Sequence, residues 1–341
     1  MKAITFHEHG GPEVLRVEEV ADPVIGPGEA LVRVRACALN HLDLWQRSGL
    51  RRVVIPMPHI SGSDVAGVVV DSTAAGVSAG ARVMLQPGIS CGRCAACLSG
   101  RDNECPQYEV LGYRNHPGGY AELVKVPAQN LVPIPDTISF VDAAAFPLTF
   151  VTAWHMLVTR AQLQRGEDVL VLAAGSGVGQ AAIQIARLLG ARVLATAGTD
   201  AKLEQALALG ASAVINHHSQ DIAEEIKRLT DRRGVDVVFE HVGRATWPKS
   251  VRSLARGGRL VTCGATTGGD AAVDLLALFS KQLSILGSYM GTKSELLRAA
   301  EFFFSAQLKP VIDRTYPLEA AATAQQRLEQ SGQFGKIVLE V

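Results

Sequence analysis

The sequence VLVLAAGSGVGQAAIQIARLLGA, residues 169–191, joins a run of aliphatic residues to a helix pattern through a turn with three glycines within five positions. The apolar stripe of the helix consists of Val178, Ala182, Ile185 and Leu189. A helix with one continuous stripe is expected to pack on a sheet. A strand, a glycine-rich turn and a helix in this order let the backbone approach a pyrophosphate at the helix N-terminus. The stretch therefore predicts the first βα unit of a dinucleotide-binding domain.

The glycine spacing of this turn departs from G-x-G-x-x-G, because the third glycine would fall on Gln180. The match is to a looser A-x-S-G-x-G form, and tight corners between strands and helices also need glycine for steric reasons alone. The strand before the turn and the striped helix after it favour dinucleotide binding. The expected cofactor-binding residues of the turn are Gly175, Ser176, Gly177, Val178 and Gly179.

Strand patterns alternate with alanine- and leucine-rich helices from about residue 150 onward, which is typical of a parallel sheet covered on both faces. The predicted strands lie at 168–174, 191–197, 212–216, 235–242 and 258–264. The run SILGSY at 284–289 is a candidate edge strand. The second half of the chain is therefore predicted to be an α/β domain.

The first third of the chain has a different pattern. Short valine-rich runs at 30–36, 65–71 and 81–85 are separated by Gly, Pro and Asp, which predicts a compact β-rich domain. The C-terminal run FGKIVLEV, residues 334–341, looks like a strand but has no strand beside it in sequence. We expect this tail to return and pair with an element elsewhere in the fold.

Length and charge limit the expected partners. A chain of 341 residues exceeds the usual span of one hydrophobic core, so two domains are expected. Lys plus Arg and Asp plus Glu number 33 each, which leaves no net field to attract nucleic acid, an acidic substrate or an anionic membrane. No segment reaches the roughly 18 uncharged apolar residues of a spanning helix. We expect a cytoplasmic protein that acts on small neutral molecules.

Four of the six cysteines form one cluster with the spacing C-x2-C-x2-C-x7-C. Its members are Cys91, Cys94, Cys97 and Cys105. Such spacing lets thiolates converge on one tetrahedral cation, and four sulfurs leave no open position for a substrate. We call residues 91–105 the zinc lobe and predict one structural Zn²⁺ in it. An iron–sulfur cluster or reduced thiols without metal are the alternatives.

The end of the second predicted strand bears on the choice of cofactor. An NAD enzyme usually places an acidic residue there to hold the adenosine ribose, whereas this chain has Ala197 and Gly198. Lys202 follows closely enough to neutralise a 2′-phosphate. NADP(H) is therefore favoured, and NAD(H) stays possible because Asp200 is near.

Six motifs together resemble the medium-chain dehydrogenase/reductase superfamily, and the resemblance covers essentially the whole chain. They are GGPEVLRVEE (10–19), NHLDLWQRSG (40–49), the zinc lobe, GGYAELVKVP (118–127), AAGSGVGQAAIQIARLLGA (173–191) and FGKIVLEV (334–341). The resemblance implies a GroES-like catalytic domain made of residues 1–148 and 290–341. A Rossmann domain, a doubly wound parallel sheet at 149–289, would hold the nicotinamide cofactor that meets substrate in a cleft. It also implies a homodimer or homotetramer, because these sheets often pair edge to edge.

Zinc alcohol dehydrogenases of this superfamily hold a catalytic zinc with a cysteine, a histidine and a second cysteine near an acidic residue. This chain has Asn40 at the first position, Ser63 followed by Asp64 at the second, and Leu148 or Thr149 at the last. A catalytic zinc needs about three good protein ligands, so these positions do not suit it. The chain is more similar to the branch of quinone oxidoreductases of the zeta-crystallin type and their enone- and enoyl-reducing relatives. The zinc lobe, which many members of that branch lack, is the departure.

The same branch supplies expectations for the cofactor. It has an asparagine at the position of Asn40, and residues that match Gly198, Lys202 and His217 surround the 2′-phosphate of NADPH. Lys336 on the C-terminal tail resembles the basic residue that reaches the cofactor phosphates. We also place His41 with the cofactor-binding residues.

The leading hypothesis is an NADP(H)-dependent oxidoreductase that reduces quinones or α,β-unsaturated carbonyls by direct hydride transfer without catalytic zinc. A conjugated acceptor spreads the arriving charge itself, so neutral hydrogen-bond donors suffice, whereas an unactivated alcohol is harder to oxidise without a metal. The candidate catalytic residues are Asn40, Asp43, Ser63 and Asp64, with Trp45 as an expected wall of their pocket.

Two alternatives stay open. A zinc site rebuilt from chemically able ligands near the same positions would make an alcohol dehydrogenase. Those ligands are Cys37, His41, His59 and Asp64. The other alternative is a non-catalytic NADPH-binding role, as in crystallin-type members.

Overall fold

The structure is a computed structural model that describes residues 1–50 and 53–341. The chain divides into two compact units. Unit 1 consists of Met1–Leu148 and Thr292–Val341, and unit 2 consists of Thr149–Gly291. No helix of the described residues is long and apolar enough to cross a membrane.

The strands of the described residues are β1 (Lys2–Thr5), β2 (Arg16–Glu19), β3 (Glu29–Ala38), β4 (Asp64–Ser72), β5 (Arg82–Leu85), β6 (Gly88–Ile89), β7 (Glu109–Val110), β8 (Leu123–Pro127), β9 (Leu131–Pro133), β10 (Asp168–Val171), β11 (Arg192–Ala197), β12 (Ala213–Asn216), β13 (Val235–Glu240), β14 (Leu254–Thr262), β15 (Ser284–Gly287), β16 (Ile312–Pro317) and β17 (Lys336–Glu340). The α-helices are α1 (His41–Ser48), α2 (Ala95–Leu98), α3 (Phe140–Ala145), α4 (Pro147–Trp154), α5 (Gly177–Leu188), α6 (Asp200–Ala208), α7 (Ile222–Leu229), α8 (Trp247–Ser253), α9 (Leu275–Ser280), α10 (Lys293–Phe304) and α11 (Ala321–Glu329). Short 3-10 turns lie at Pro12–Val14, Asp102–Glu104, Ala128–Asn130 and Leu318–Ala320, and a π-helical turn at His155–Arg160 follows α4.

Unit 1 is built on a seven-stranded sheet in the order β16-β17-β3-β4-β5-β9, with β8 also paired to β3. β3 shows why these residues form strands, since Val32 and Val34 are buried while Arg33 and Arg35 between them are exposed. This alternation buries one face of the sheet in the core.

The C-terminal tail returns to this sheet, as the sequence predicts. β17 pairs in parallel with β16 and antiparallel with β3, where Val338 lies opposite Ala38. β3 pairs in turn with β4, where Ala38 lies opposite Asp64. The start of β17, the end of β3 and the start of β4 therefore meet at one edge of the core.

Unit 2 contains a six-stranded sheet in the order β12-β11-β10-β13-β14-β15. All of its strand pairs are parallel. Every residue of β10 is buried, as expected for a strand covered on both faces, which explains its nearly continuous aliphatic sequence. β15 lies at the edge of the sheet, as predicted. This sheet and the β-rich unit 1 confirm the predicted α/β class.

The strand boundaries differ from the predicted ones for local reasons. The strand predicted at 168–174 ends at Val171, because Ala173 adopts a left-handed φ of 48° and turns the chain toward α5. The strand predicted at 258–264 starts earlier, at Leu254, and its pairing with β13 shifts register between Val235 and Val237. Such an irregularity has no clear signal in the sequence.

Candidate active site, cofactor turn and zinc lobe

A buried charged network lies in unit 1 where β17, β3 and β4 meet. The Lys336 ammonium donates to Asn40 Oδ1 at 2.7 Å, to Asp64 Oδ2 at 2.9 Å and to the Leu39 carbonyl at 2.7 Å. The side chains of Lys336 and Asp64 are 2% and 0% exposed. The second oxygen of Asp64 accepts from the Leu148 amide at 2.8 Å. The structure thus brings together Asn40, Asp64 and Leu148. These residues stand at positions that were compared above with the catalytic zinc site of alcohol dehydrogenases.

The Lys336 ammonium makes its hydrogen bonds inside unit 1. The resemblance implies contact with cofactor phosphates, whereas all three N–H groups of the ammonium are used by acceptors inside unit 1. An ammonium has three donors, so none is left for a phosphate in this arrangement. The sequence does not reveal this because the partner strand of the C-terminal tail has no local signal.

Asn40 and Asp43 form the start of α1. The Asn40 backbone amide donates to Asp43 Oδ2 at 2.8 Å, which completes a capping box at the helix N-terminus. Asp43 also accepts from the Gly62 amide at 3.2 Å and from the Tyr120 hydroxyl at 3.1 Å. Burial raises the pKa of Asp43 to about 6, against these hydrogen bonds and the nearby Lys336 charge, which lower it. Asp43 therefore fixes the chain segment that presents the Asn40 side chain.

The other predicted active-site residues differ in their surroundings. Ser63 is fully buried, and its hydroxyl has no hydrogen-bond partner among the described residues. His41 is half-buried at the first position of α1, with its ring 6.2 Å from the ring of Trp45. Ser63 is therefore a buried hydroxyl without an assigned structural role.

The four residues considered for a rebuilt zinc site do not form such a site. His59 is buried with Nε2 3.1 Å from the Gly112 carbonyl, and burial lowers its pKa. Burial raises the pKa of the Cys37 thiol. Within residues 1–50 and 53–341, the only group of three or more His, Cys, Asp or Glu side chains with convergent ligand atoms is in the zinc lobe.

The zinc lobe brings its four cysteines together. Their sulfur atoms all lie within 4.8 Å of one another, with Cys91 Sγ 3.9 Å and Cys94 Sγ 3.5 Å from Cys97 Sγ. A tetrahedral zinc with Zn–S bonds of about 2.3 Å requires sulfurs roughly 3.8 Å apart. Cys94 caps α2, and Cys105 follows the 3-10 turn at Asp102–Glu104. These residues fit a structural zinc.

The glycine-rich turn of unit 2 is tightly packed. Ser176 caps α5 by accepting from the Gly179 amide at 2.9 Å. A Cβ on Gly179 would lie 2.4 Å from the Ala173 carbonyl oxygen, so only glycine fits there. The turn therefore presents backbone at the N-terminus of a 12-residue helix, which suits a pyrophosphate.

Two histidine side chains lie close to Gly198, the residue after β11. A Cβ on Gly198 would lie 2.6 Å from His218 Nε2 and 3.1 Å from His217 Nε2. Burial lowers the pKa of His217, and the charges of His218, Lys249 and Lys202 lower it further. Two residues near His217 are not among those predicted from the sequence: His218, which adjoins it, and Lys249, for which the sequence carries no signal.

One oxygen of Asp200, the acidic residue two positions after Gly198, already has a hydrogen-bond partner. Asp200 accepts from the Asn216 side-chain amide at 3.0 Å. An acidic residue that binds the ribose of NAD(H) would instead have to present its oxygens to the ligand. The basic group around Gly198 thus consists of His217 and His218 beside this glycine, with Lys202 and Lys249 near His217.

His241 is a further residue beside the glycine-rich turn that is not predicted from the sequence. It follows β13, and its Nε2 lies 3.0 Å from the Leu172 carbonyl and 3.4 Å from the hydroxyl of Ser176, in the glycine-rich turn before α5. Burial lowers its pKa. The preceding Glu240 is fully buried and accepts from the Thr246 and Ser250 hydroxyls. These contacts fix the loop after β13 against the glycine-rich turn.

Comparison with known proteins gives two family matches. Residues 26–136 match the family described as alcohol dehydrogenase GroES-like domain, and residues 177–305 match the family described as zinc-binding dehydrogenase. The quinone oxidoreductase of Homo sapiens is 32% identical over 349 residues, which cover 99% of this chain and 97% of that protein. The crotonyl-CoA reductase of Streptomyces collinus is 31% identical over 369 residues, which cover 95% of this chain and 80% of that protein.

A solved structure described as an NAD-dependent alcohol dehydrogenase is 46% identical, with a TM-score of 0.96 and full coverage of both chains. The named relatives are all oxidoreductases, so this chain is an oxidoreductase as well. Because the relatives match nearly its full length and both of its units match families of one kind, the chain belongs to the medium-chain dehydrogenase/reductase superfamily.

Proposed function

We propose that this oxidoreductase uses NADP(H) to reduce quinones or α,β-unsaturated carbonyls by direct hydride transfer, without a catalytic zinc. One observation carries the proposal. At the positions where zinc alcohol dehydrogenases hold their catalytic metal, a buried ammonium, that of Lys336, lies between Asn40 and Asp64.

The atoms at these positions do not suit zinc. Asn40 Oδ1 already accepts from the ammonium, and both oxygens of Asp64 accept hydrogen bonds within unit 1. Ser63 offers only a neutral hydroxyl, which is a poor ligand compared with cysteine or histidine. A divalent cation would also have to lie beside the Lys336 charge, which opposes it in a buried place.

Asn40 is the candidate donor to the substrate oxygen. A bound nicotinamide supplies the hydride, and the protein must stabilise the negative charge that develops on the acceptor. A conjugated acceptor spreads that charge, so a neutral N–H donor is sufficient. The Ser63 hydroxyl, which has no partner among the described residues, is a second candidate donor. We assign Asp43 and Asp64 to holding Asn40 in place, because their oxygens already accept hydrogen bonds.

The basic group around Gly198 supports the NADP(H) part of the proposal. Its residues would hold the 2′-phosphate, and the turn from Gly175 to Gly179 would hold the pyrophosphate. Replacing Lys202 by Ala is expected to weaken NADPH binding several-fold while NADH binding is unchanged. Lys227→Ala, on the exposed surface of α7 in the same unit, is the matched control. Equal weakening of both cofactors by Lys202→Ala would argue against the 2′-phosphate assignment.

A second candidate is an NAD-dependent alcohol dehydrogenase. The 46% identical solved structure described in those words favours it. This candidate predicts alcohol-dependent reduction of NAD⁺ and a zinc in addition to that of the lobe. Since the described residues show no second convergent ligand group, we rank it below the reductase.

The deciding experiment measures zinc per chain and steady-state turnover on the same preparation, purified without added metal. Quinones and enones with NADPH, and primary and secondary alcohols with NAD⁺ and NADP⁺, are compared. One zinc with oxidation of NADPH by conjugated acceptors supports the proposal. Two zincs with alcohol oxidation would replace it with the second candidate, and tight NADPH binding without any turnover would favour the non-catalytic alternative.

A further inference from the structure

The Lys336 ammonium is a buried charge with all three of its N–H groups hydrogen-bonded, and it lies next to Asn40, the candidate donor to the substrate. Its side chain is 2% exposed, and its acceptors are one carboxylate, one amide oxygen and one backbone carbonyl. Burying a charge costs several kcal/mol unless it is paired and hydrogen-bonded, and apolar residues often serve equally well for stability. Its presence next to the candidate substrate donor therefore calls for a role beyond packing.

This charge determines the orientation of the Asn40 side chain. An ammonium can only donate and a carboxylate can only accept, so the amide oxygen must face Lys336 and the amide nitrogen must face Asp64. The distances agree, at 2.7 Å from Nζ to Oδ1 and 3.0 Å from Nδ2 to Asp64 Oδ2. The second N–H of Asn40 is only weakly engaged, at 3.5 Å from the Ala38 carbonyl.

The same contacts polarise the amide. A hydrogen bond from a cation to an amide oxygen withdraws electron density from its nitrogen, and in a low-dielectric site this strengthens the N–H groups as donors. The N–H that is weakly engaged with the Ala38 carbonyl is the one available to donate to a substrate oxygen. A donor held in advance stabilises a developing oxyanion without the cost of reorienting it.

We propose that Lys336 is a positioning residue for the reduction, which fixes and polarises the Asn40 amide so that it stabilises negative charge on the oxygen of the acceptor. Lys336 thereby supplies, through Asn40, part of the electrostatic stabilisation that zinc alcohol dehydrogenases obtain from their metal. Asp64 completes the arrangement by holding both the ammonium and the amide nitrogen. This inference rests on the proposed reduction of conjugated acceptors.

The test uses acceptors that differ in how well they stabilise the negative charge themselves. Quinones of high electron affinity depend little on a protein donor, whereas simple enones depend on it strongly. For Lys336→Met we expect kcat to fall by about 10- to 100-fold with enones and by much less with quinones. The dissociation constant of NADPH is expected to be unchanged, since the three N–H groups of the ammonium already donate to Leu39, Asn40 and Asp64.

A double variant and a control variant distinguish the proposed role of Lys336 from an effect on folding. Lys336→Met leaves Asp64 unpaired, so the paired variant Lys336→Met/Asp64→Asn removes both charges and is the version expected to fold normally. It should show the same unequal loss between enones and quinones. Lys125→Met removes an exposed lysine of β8 in the same unit and is the matched control.

The outcomes separate this inference from the proposed function. If the wild-type protein reduces neither class of acceptor, the proposed function fails. If it reduces both and the Lys336 variants lose activity equally on both, Lys336 is only structural and the inference is overturned. Weaker NADPH binding in those variants would overturn it in favour of the phosphate contact that the resemblance implies.

Discussion

At the scale of single residues, Asp43 is a carboxyl group whose ionisation opposes folding. Burial raises its pKa from 3.8 to about 6, so the stability it contributes is full below pH 4 and is lost as the pH rises toward 6. The shift corresponds to about 3 kcal/mol. We therefore predict that the free energy of unfolding of the wild type, relative to that of Asp43→Asn, falls by about 2–3 kcal/mol between pH 4 and pH 6.5. Denaturant unfolding at a series of pH values measures it.

The control for Asp43 is Asp136→Asn, because the Asp136 side chain is 94% exposed. It should leave the pH dependence of unfolding as in the wild type. A stability difference between wild type and Asp43→Asn that stays flat or rises with pH would show that its hydrogen bonds from Asn40, Gly62 and Tyr120 outweigh burial.

Gly179 is a position where adding one methyl group would change the geometry of the glycine-rich turn, residues 175–179. In Gly179→Ala the new Cβ would lie 2.4 Å from the Ala173 carbonyl and 2.8 Å from the Ser176 hydroxyl, so the turn must shift. We predict a loss of about 1–3 kcal/mol in stability and a weaker affinity for NADPH. Gly269→Ala, where a Cβ meets nothing within 4 Å, is the control. Unchanged NADPH fluorescence titrations for both variants would show that the turn does not bind the cofactor.

Residue roles follow from sequence only where the signal is local. The four cysteines converge as their spacing predicts, because two-residue intervals bring thiolates together within one loop. Lys336 lies far in sequence from Asn40 and Asp64, and only the pairing of β17 with β3 brings it to them. The approach of Lys249 to His217 depends in the same way on the packing of distant elements.

At the scale of elements, we expect the zinc lobe to depend on a bound metal for its structure. Neither α2 nor the following 3-10 turn has a buried residue, so the lobe has little core of its own. A bound metal can then supply the folding free energy of such a segment. We predict that a strong chelator removes one zinc per chain and makes residues 91–105 sensitive to protease, while the far-UV circular dichroism of the remainder persists.

Cys94→Ser is expected to lose the zinc, whereas Cys263→Ser, in unit 2 and outside the lobe, is expected to keep it. Zinc content by elemental mass spectrometry and the sites of limited proteolysis give the readout. A lobe that stays resistant to protease after complete loss of zinc would show that backbone hydrogen bonds such as Leu98 to Cys94 hold it instead.

The strands and helices themselves were predictable because their patterns are local. Period-2 alternation identifies β3, and continuous aliphatic runs identify the buried parallel strands. The ends were less predictable, since the strand predicted at 168–174 stops where Ala173 adopts a positive φ. A left-handed alanine has no signature in composition or periodicity.

At the scale of the whole molecule, the sequence predicts the α/β class because the two patterns occupy different parts of the chain. Period-2 runs fill the first third, and strand–helix alternation fills the part after residue 150. The return of the C-terminal tail was predictable as an unpaired strand, but its partner was not. Because the tail carries Lys336, not knowing its partner strand also prevents the sequence from predicting that Lys336 meets Asn40 and Asp64.

The surface of unit 2 has features that favour association with a second subunit. Leu275, Leu276 and Phe279 on the six-residue helix α9 are 68%, 64% and 69% exposed, and β15, which follows closely in sequence, is an edge strand. An exposed group of large apolar side chains and an open strand edge each favour association with a second copy of the chain.

We predict that the wild type is a homodimer or a tetramer of dimers and that Leu276→Glu/Phe279→Glu dissociates it. The measurement is molar mass by light scattering after gel filtration, at several protein concentrations. Leu207→Glu, on α6 of the same unit and 46% exposed, is the control that adds a charge away from this surface. If the double variant keeps the mass of the wild-type oligomer, the subunits associate through another surface. If the wild type is already a monomer, the edge of β15 is protected by means other than pairing, since an open apolar edge would otherwise aggregate.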